Sequence, residues 1–217
     1  MHQVKDVELG ADILAANRKM AEENSRHLKK HQIKCIDVLG AIGSGKTLII
    51  EKLIEILKKR GIRCGVIAGD VAGDDDYQRF KGHRVPVINL NTGKECHLDA
   101  HLVSHALEKL DMGKLDVLFI ENVGNLVCPA DFPLGSELTV TIVSVTEGDD
   151  MIRKHPVLMG MSDIIVVNKV SLAKIMRVDT RVLEKDAARI APHTSVILTD
   201  AVTGTGMEEL LRAMKLG

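Results

Sequence analysis

The octapeptide GAIGSGKT, residues 40–47, limits what this chain can fold into more than any other part of it. It matches the pattern G-x-x-x-x-G-K-S/T. The apolar run CIDVLG (35–40) ends on its first glycine, and the amphipathic stretch KTLIIEKLIEILKK begins on its last two residues. A strand running into a helix is the setting this pattern requires. The glycines let backbone N–H groups turn inward around phosphate oxygens, and the helix start adds partial positive charge. Lys46 is placed to reach the β and γ phosphates, and the Thr47 hydroxyl to meet Mg²⁺. The residues expected to touch nucleotide here are Gly43, Ser44, Gly45, Lys46, Thr47 and Leu48.

The rest of the chain has the rhythm such a loop needs. Apolar runs recur at 35–40, 63–70, 85–90, 115–122, 138–145, 163–169 and 195–200, rich in Val, Ile and Leu and without strict alternation. That continuity suits strands buried on both faces. Helical patterns lie between them at about 46–60, 97–111, 179–191 and 206–215. The expected fold is α/β: a mostly parallel sheet with helices on both faces, of the P-loop NTPase type. An N-terminal helix at about 8–31, with Leu9, Ile13, Leu14, Met20 and Leu28 as its apolar positions, precedes the first strand. The organisation expected is a helical segment over 1–30 packed on a nucleotide-binding domain over 31–217, with no internal repeat.

Composition narrows the function. Lys and Arg total 29 against 30 Asp and Glu, so no general affinity for nucleic acid is expected. Trp is absent and Tyr occurs once, so there is no base-stacking platform. No apolar run reaches the length of a transmembrane helix, and the charged N-terminus has no signal core; the expected location is the cytoplasm, with no membrane partner. Of the four cysteines, Cys35 and Cys64 lie in strand-like runs and read as buried structural thiols.

A phosphate loop needs carboxylates to hold Mg²⁺ and place water. LDVLFIEN ends in Glu121, and Gly124 follows three residues later, as in a D-x-x-G element with Glu for Asp. Glu121 is therefore the candidate for the outer Mg²⁺ shell. In AGDVAGDDDYQRF, Asp70 ends a strand and Asp74, Asp75 and Asp76 follow in an expected mobile loop; Asp70 and Asp76 are the preferred metal- or water-orienting residues. With Lys46 and Thr47 they complete the candidate catalytic and magnesium set. No side chain stands out as a strong general base, so slow turnover is expected.

Base recognition is expected at VVNKVS (166–171), where Asn168 and Lys169 match the start of the guanine-reading N-K-x-D, but Ser171 takes the place of Asp. A serine accepts a weaker, neutral hydrogen bond than a carboxylate. Either base selectivity is relaxed or Asp200 substitutes. TDAVTGTG (199–206) resembles the last base-contacting loop, which adds Asp200 and Ala201 to the nucleotide set and favours GTP over ATP.

TGKECHLDAH (92–101) sets Cys96 beside His97 ahead of a helix, and Cys128 lies in NLVCPAD. If the strands VPVINL and LDVLFIEN are parallel neighbours, their C-terminal loops bring the three together. Thiolate and imidazole suit Zn²⁺, Ni²⁺ or Cu⁺. Three ligands leave a tetrahedral site one short, which a two-fold dimer would supply. His101 and His105 follow at four-residue intervals, either as extensions of the site or as a solvated helix edge.

GAIGSGKT, AGD, NTGKECHLDAH, IENVGNLVCPADFPLG and VVNK, in that order over residues 30–215, together resemble HypB, the hydrogenase nickel-incorporation GTPase family. The resemblance implies the SIMIBI class of P-loop folds and dimerisation with nucleotide. It implies GTP hydrolysis coupled to nickel delivery to the large subunit of nickel–iron hydrogenase, with a HypA-type nickel chaperone as partner. It puts the family's Ni²⁺ or Zn²⁺ ligands on Cys96, His97 and Cys128 of this chain. The N-terminal C-x-x-C-G-C motif of some members and a histidine-rich tail are absent, so no high-affinity N-terminal nickel store is expected. The urease accessory GTPases are the nearest alternative; they carry C-P-H, whereas Cys128-Pro129 here is followed by Ala130.

Overall fold

The computed structural model describes residues 2–217, with side chains from Ala11 onward, so the Leu9 side chain lies outside the described residues. The chain forms a seven-stranded sheet in the order β3-β2-β4-β1-β5-β6-β7. The strands are β1 Lys34–Gly40, β2 Cys64–Asp70, β3 Val87–Asn91, β4 Val117–Glu121, β5 Leu138–Ser144, β6 Ile164–Asn168 and β7 Ser195–Leu198. Every pairing is parallel. The helices are α1 His2–Lys30, α2 Lys46–Lys59, α3 Asp75–Gly82, α4 Ala100–Lys109, α5 Met151–Lys154, α6 Pro156–Met161, α7 Ala173–Met176, α8 Thr180–Ile190 and α9 Met207–Ala213.

Each strand was legible as an apolar run, because a parallel sheet covered on both faces needs apolar side chains at every position. In β1, Ile36 and Val38 face α2 and α9, whereas Cys35 joins the cluster under α1 and α4. The β5–β6 half of that second face is covered by α5, α6 and α8, through Ile152, Met159, Leu183 and Ala187. Cys35 and Cys64 are buried free thiols, as expected. Among the described residues, no helix is long and apolar enough to cross a membrane.

Two asparagines fasten α1 to the core. Asn17 Oδ1 accepts from the Ala100 N–H at 2.8 Å, satisfying a donor that the first turn of α4 leaves open. Asn24 Nδ2 donates to the carbonyls of Ala100 and Leu134 at 2.8 and 3.1 Å. Asp99 caps the same helix, accepting from Leu102 N at 2.7 Å.

Two expectations are corrected. The acidic segment expected as a mobile loop is the start of α3: Asp74 precedes the helix, Asp75 and Asp76 form its first turn, and Phe80 is its buried anchor. Carboxylates in a first turn meet the positive end of the helix dipole, which favours the helix they head. The strands before the Cys96 and Cys128 loops are not neighbours either, because β2 lies between β3 and β4. The loops meet because residues 92–98 fold back across the end of β2, with Gly93 N bonded to Val71 O at 2.9 Å.

Candidate functional site: a phosphate loop beside a Cys–His cluster

All the candidate residues gather at the C-terminal edge of the sheet, where β1 ends at its centre. Gly45 leads into α2 at φ +103°, a conformation that L side chains rarely adopt, and the Asn168 amide packs where its Cβ would stand. Beyond it a cavity of about 380 Å³ is lined by Lys46, Thr47, Asp70, Asp76, Arg79 and Glu121, among others. Lys46 Nζ donates to the carbonyls of Gly40 and Ala41 at 3.1 and 3.2 Å, and Thr47 Oγ1 donates to Glu121 Oε1 at 2.8 Å.

The electrostatics of this cavity are those of a site built for phosphate and a hard cation. Burial pushes the Glu121 carboxyl up to about 7, and the charge of Asp76 adds to this; Lys46, the Thr47 hydroxyl and Arg79 oppose it. Burial lowers the Lys46 pKa, against the pull of Glu121, Asp76, Glu147 and Asp70. Glu121 Oε2 and Ser44 Oγ are buried with no hydrogen-bond partner. The orphaned Glu121 oxygen, with the Thr47 hydroxyl and the Asp76 carboxylate in the same cavity lining, makes an oxygen donor set that fits Mg²⁺.

The expected base-reading residues converge on a second cavity, of about 250 Å³. Asn168 Nδ2 donates to Ser44 O at 2.9 Å, and its Oδ1 accepts from Thr199 Oγ1 and Ala201 N at 3.1 and 3.3 Å. Lys169 stands at φ +62° and its Nζ donates to Gly43 O at 2.6 Å. Both therefore hold the phosphate loop from behind. Asp200 Oδ2 accepts from the Ser171 hydroxyl and N–H, and Oδ1 from Val202 N and Thr203 N at 3.0 and 3.1 Å. Burial raises the Asp200 carboxyl, but the bonds from Ser171, Thr203 and Val202 outweigh it and hold the pKa below its ordinary value. Four donors occupy its lone-pair sites. The Ser171 and Thr203 hydroxyls line the same cavity, the first hydrogen-bonded to the Asp200 carboxylate.

The Cys–His cluster forms on the far side of the segment after β4. Cys96 Sγ lies 3.0 Å from Cys128 Sγ and 3.9 Å from His97 Nδ1, and one ligand atom from each residue falls within 4.8 Å of the others. Two sulfurs and an imidazole within one ion's reach suit a borderline divalent cation. His97 stacks on Phe132 with ring centroids 4.0 Å apart. His101 and His105 pair with each other, Nε2 to Nε2 at 3.2 Å, outside this group of three.

Several residues in this region have roles that the sequence does not signal, although Asn122 and Asn125 lie within the stretch IENVGNLVCPADFPLG. Asn122 is buried, with Oδ1 accepting from Leu98 N and Val123 N and Nδ2 donating to Asp37 at 3.3 Å. Asn125 Nδ2 donates to Cys96 O at 3.2 Å. Arg79 would have been found as the i+3 partner of Asp76 had the acidic stretch been drawn as a helix.

Residues 34–198 match the family model described as the CobW/HypB/UreG nucleotide-binding domain. The chain is 51% identical over 212 residues to a probable hydrogenase maturation factor HypB from Methanocaldococcus jannaschii, covering 97% of this chain and 95% of that protein. The crystal structure of HypB from Archaeoglobus fulgidus superimposes with a TM-score of 0.86 at 43% identity, over 93% of this chain and 98% of that one. HypB from Helicobacter pylori, solved in complex with nickel, gives the same TM-score of 0.86 at 27% identity, over 92% and 95% of the two chains.

Proposed function

This chain belongs to the HypB hydrogenase maturation factors of the CobW/HypB/UreG family, and on that premise we propose that it is a GTPase that couples nucleotide turnover to nickel handling. The observation that carries the reading is one short segment. Residues 121–128 begin at Glu121 in the phosphate cavity and end at Cys128 in the Cys–His cluster. A change at one end has only seven peptide units to cross before it reaches the other.

The residues take these roles. The N–H groups of the 43–47 loop receive the phosphates, and Lys46 exchanges its two carbonyl partners for phosphate oxygens. Thr47, Asp70, Asp76 and Glu121 would hold Mg²⁺, which when bound neutralises charge developing between the phosphates. Leu48 and Ala201 wall the base, and the Ser171 oxygen, backed by Asp200, accepts from guanine N–H. Asn168 and Lys169 keep the loop in shape for both. Catalysis is positioning and charge stabilisation, so turnover is slow without an activating partner. Two copies close over their nucleotides in the cytoplasm, and Cys96, His97 and Cys128 hold the nickel cargo, or Zn²⁺, at the interface between them. The cargo comes from a HypA-type chaperone and goes to the hydrogenase large subunit.

Lys46→Ala tests the reading. Phosphate release from GTP should fall by at least about 100-fold, the scale of losing one preorganised charge at a transition state. Metal bound through Cys96 and Cys128 should persist in the nucleotide-free protein. Hydrolysis undiminished in the variant would remove the phosphate loop from the mechanism.

A further inference from the structure

One cation stands among the carboxylates of the phosphate cavity without a role so far. Arg79 lies one turn along α3 from Asp76 and lines the same cavity as Lys46, Thr47 and Glu121. Its guanidinium is already engaged. Nη2 donates to Glu51 Oε2 at 2.5 Å and Nε to Glu51 Oε1 at 3.3 Å, while Nη1 stands 3.6 Å from Asp76 Oδ1. Glu51 is buried on α2, one turn beyond Thr47. His83, which ends α3, brings its Nε2 to 3.4 Å from the same Glu51 oxygen. A single carboxylate on the nucleotide-binding helix thus grips α3 at two points a turn apart.

The grip matters because the apolar hold on α3 is small: Phe80, with Tyr77 half-buried against the same core. Of its residues only Phe80 is fully buried. A short helix anchored by so few apolar side chains can rock about them, and its ends move most. Asp76 sits in the first turn, so a small rotation carries its carboxylate away from Thr47 and Glu121. A planar two-point fork resists that rotation in a way a point charge does not. The charges favour the same arrangement: Asp76 and Glu121 repel across the cavity, and Arg79 is one of the cations that offsets this.

We propose that Arg79 is a positioning residue for the magnesium–nucleotide complex: forked onto Glu51, it fixes the first turn of α3 and sets Asp76 against Thr47 and Glu121. This rests on the nucleotide-binding reading above. The effect acts through Asp76, so it belongs to Mg²⁺-dependent binding and not to the phosphate loop itself.

The test measures affinity for a non-hydrolysable GTP analogue with and without Mg²⁺, and for GDP without it, in the full chain. In Arg79→Ala the gain in analogue affinity on adding Mg²⁺ should shrink by about tenfold, the scale of one charge-assisted hydrogen bond, with GDP binding unchanged. Arg79→Lys should restore the gain only in part. Glu51→Gln should act in the same direction, and the double variant should fall short of the sum of the two single losses, since both break the Arg79–Glu51 contact. If Arg79→Ala does not fold by circular dichroism, Arg79→Lys and Glu51→Gln carry the comparison. An Mg²⁺ gain that stays within about twofold of the parent, full restoration by lysine, or additive losses in the double variant would each overturn the proposal. A parent that binds the analogue with Mg²⁺ but releases no phosphate would instead sink the hydrolysis reading and leave the Arg79 comparison standing.

Discussion

Asp37 is a carboxylate in the middle of the central strand, 5% exposed, with one hydrogen-bond donor, Asn122 Nδ2 at 3.3 Å. Burial raises its pKa from 3.8 to about 7, and the Asn122 bond only partly opposes this. The sign of the stability effect follows. Below pH 3.8 the group is neutral whether the chain is folded or not. Between 3.8 and about 7 the unfolded chain ionises first, so the fold loses stability as pH rises, and the loss is complete above 7. Asp37→Asn keeps the acceptor for Asn122 and removes the charge. It should leave stability nearly unchanged at pH 4 and raise it at pH 8 by up to about 4 kcal/mol, read from urea unfolding at the two pH values. An equal gain at both would mean that packing, not ionisation, sets the difference. Nothing in the sequence announced this residue, because a lone Asp inside the apolar run CIDVLG does not tell which face of the sheet it points to.

Among the elements, α1 shows how much a helix depends on a few polar contacts. Asn24 serves two buried carbonyls, those of Ala100 and Leu134. Asn24→Ala orphans both and should cost about 2 kcal/mol, measured by denaturant unfolding; a loss under about 0.5 kcal/mol would mean that water replaces the amide. The strands were readable because burial on both faces writes itself as continuous Val, Ile and Leu. The long helices α2 and α8 were readable from their apolar stripes. The short helices α3, α5, α6 and α7 were not, since four to eight residues give few turns for a period to show; seven-residue α9 is the exception. The candidate site divides in the same way. Lys46, Thr47, Glu121, Asn168 and the Cys–His trio lie in motifs, where spacing carries the signal. Glu51 and Arg79 lie in no motif, and Asn122 and Phe132, though inside IENVGNLVCPADFPLG, act across elements; only the sheet order and the packing of α3 bring these contacts to the site.

At the scale of the whole molecule, the nucleotide cavities and the Cys–His cluster share one edge of the sheet, and Ile42 and Val127 lie exposed there at 86% and 64%. Large apolar side chains at the rim of a charged site suit a face that closes on a second copy. Native mass measurement should find the chain shifting toward a dimer on adding a GTP analogue, with two nucleotides per dimer and nickel bound in proportion to it. Cys96→Ala should keep the nucleotide-driven shift and lose the metal. A variant that retains full nickel stoichiometry would take Cys96 out of the ligand set.

The interlock of Gly45 with Asn168, and of Gly43 with Lys169, joins the first strand to the sixth, and Asp200 adds the turn after the seventh. The pocket therefore has no early version. A nascent chain has its phosphate loop exposed from the ribosome long before residues 168–203 arrive to brace it. The brace on the phosphate loop is complete only once residues 168–203 have folded against it.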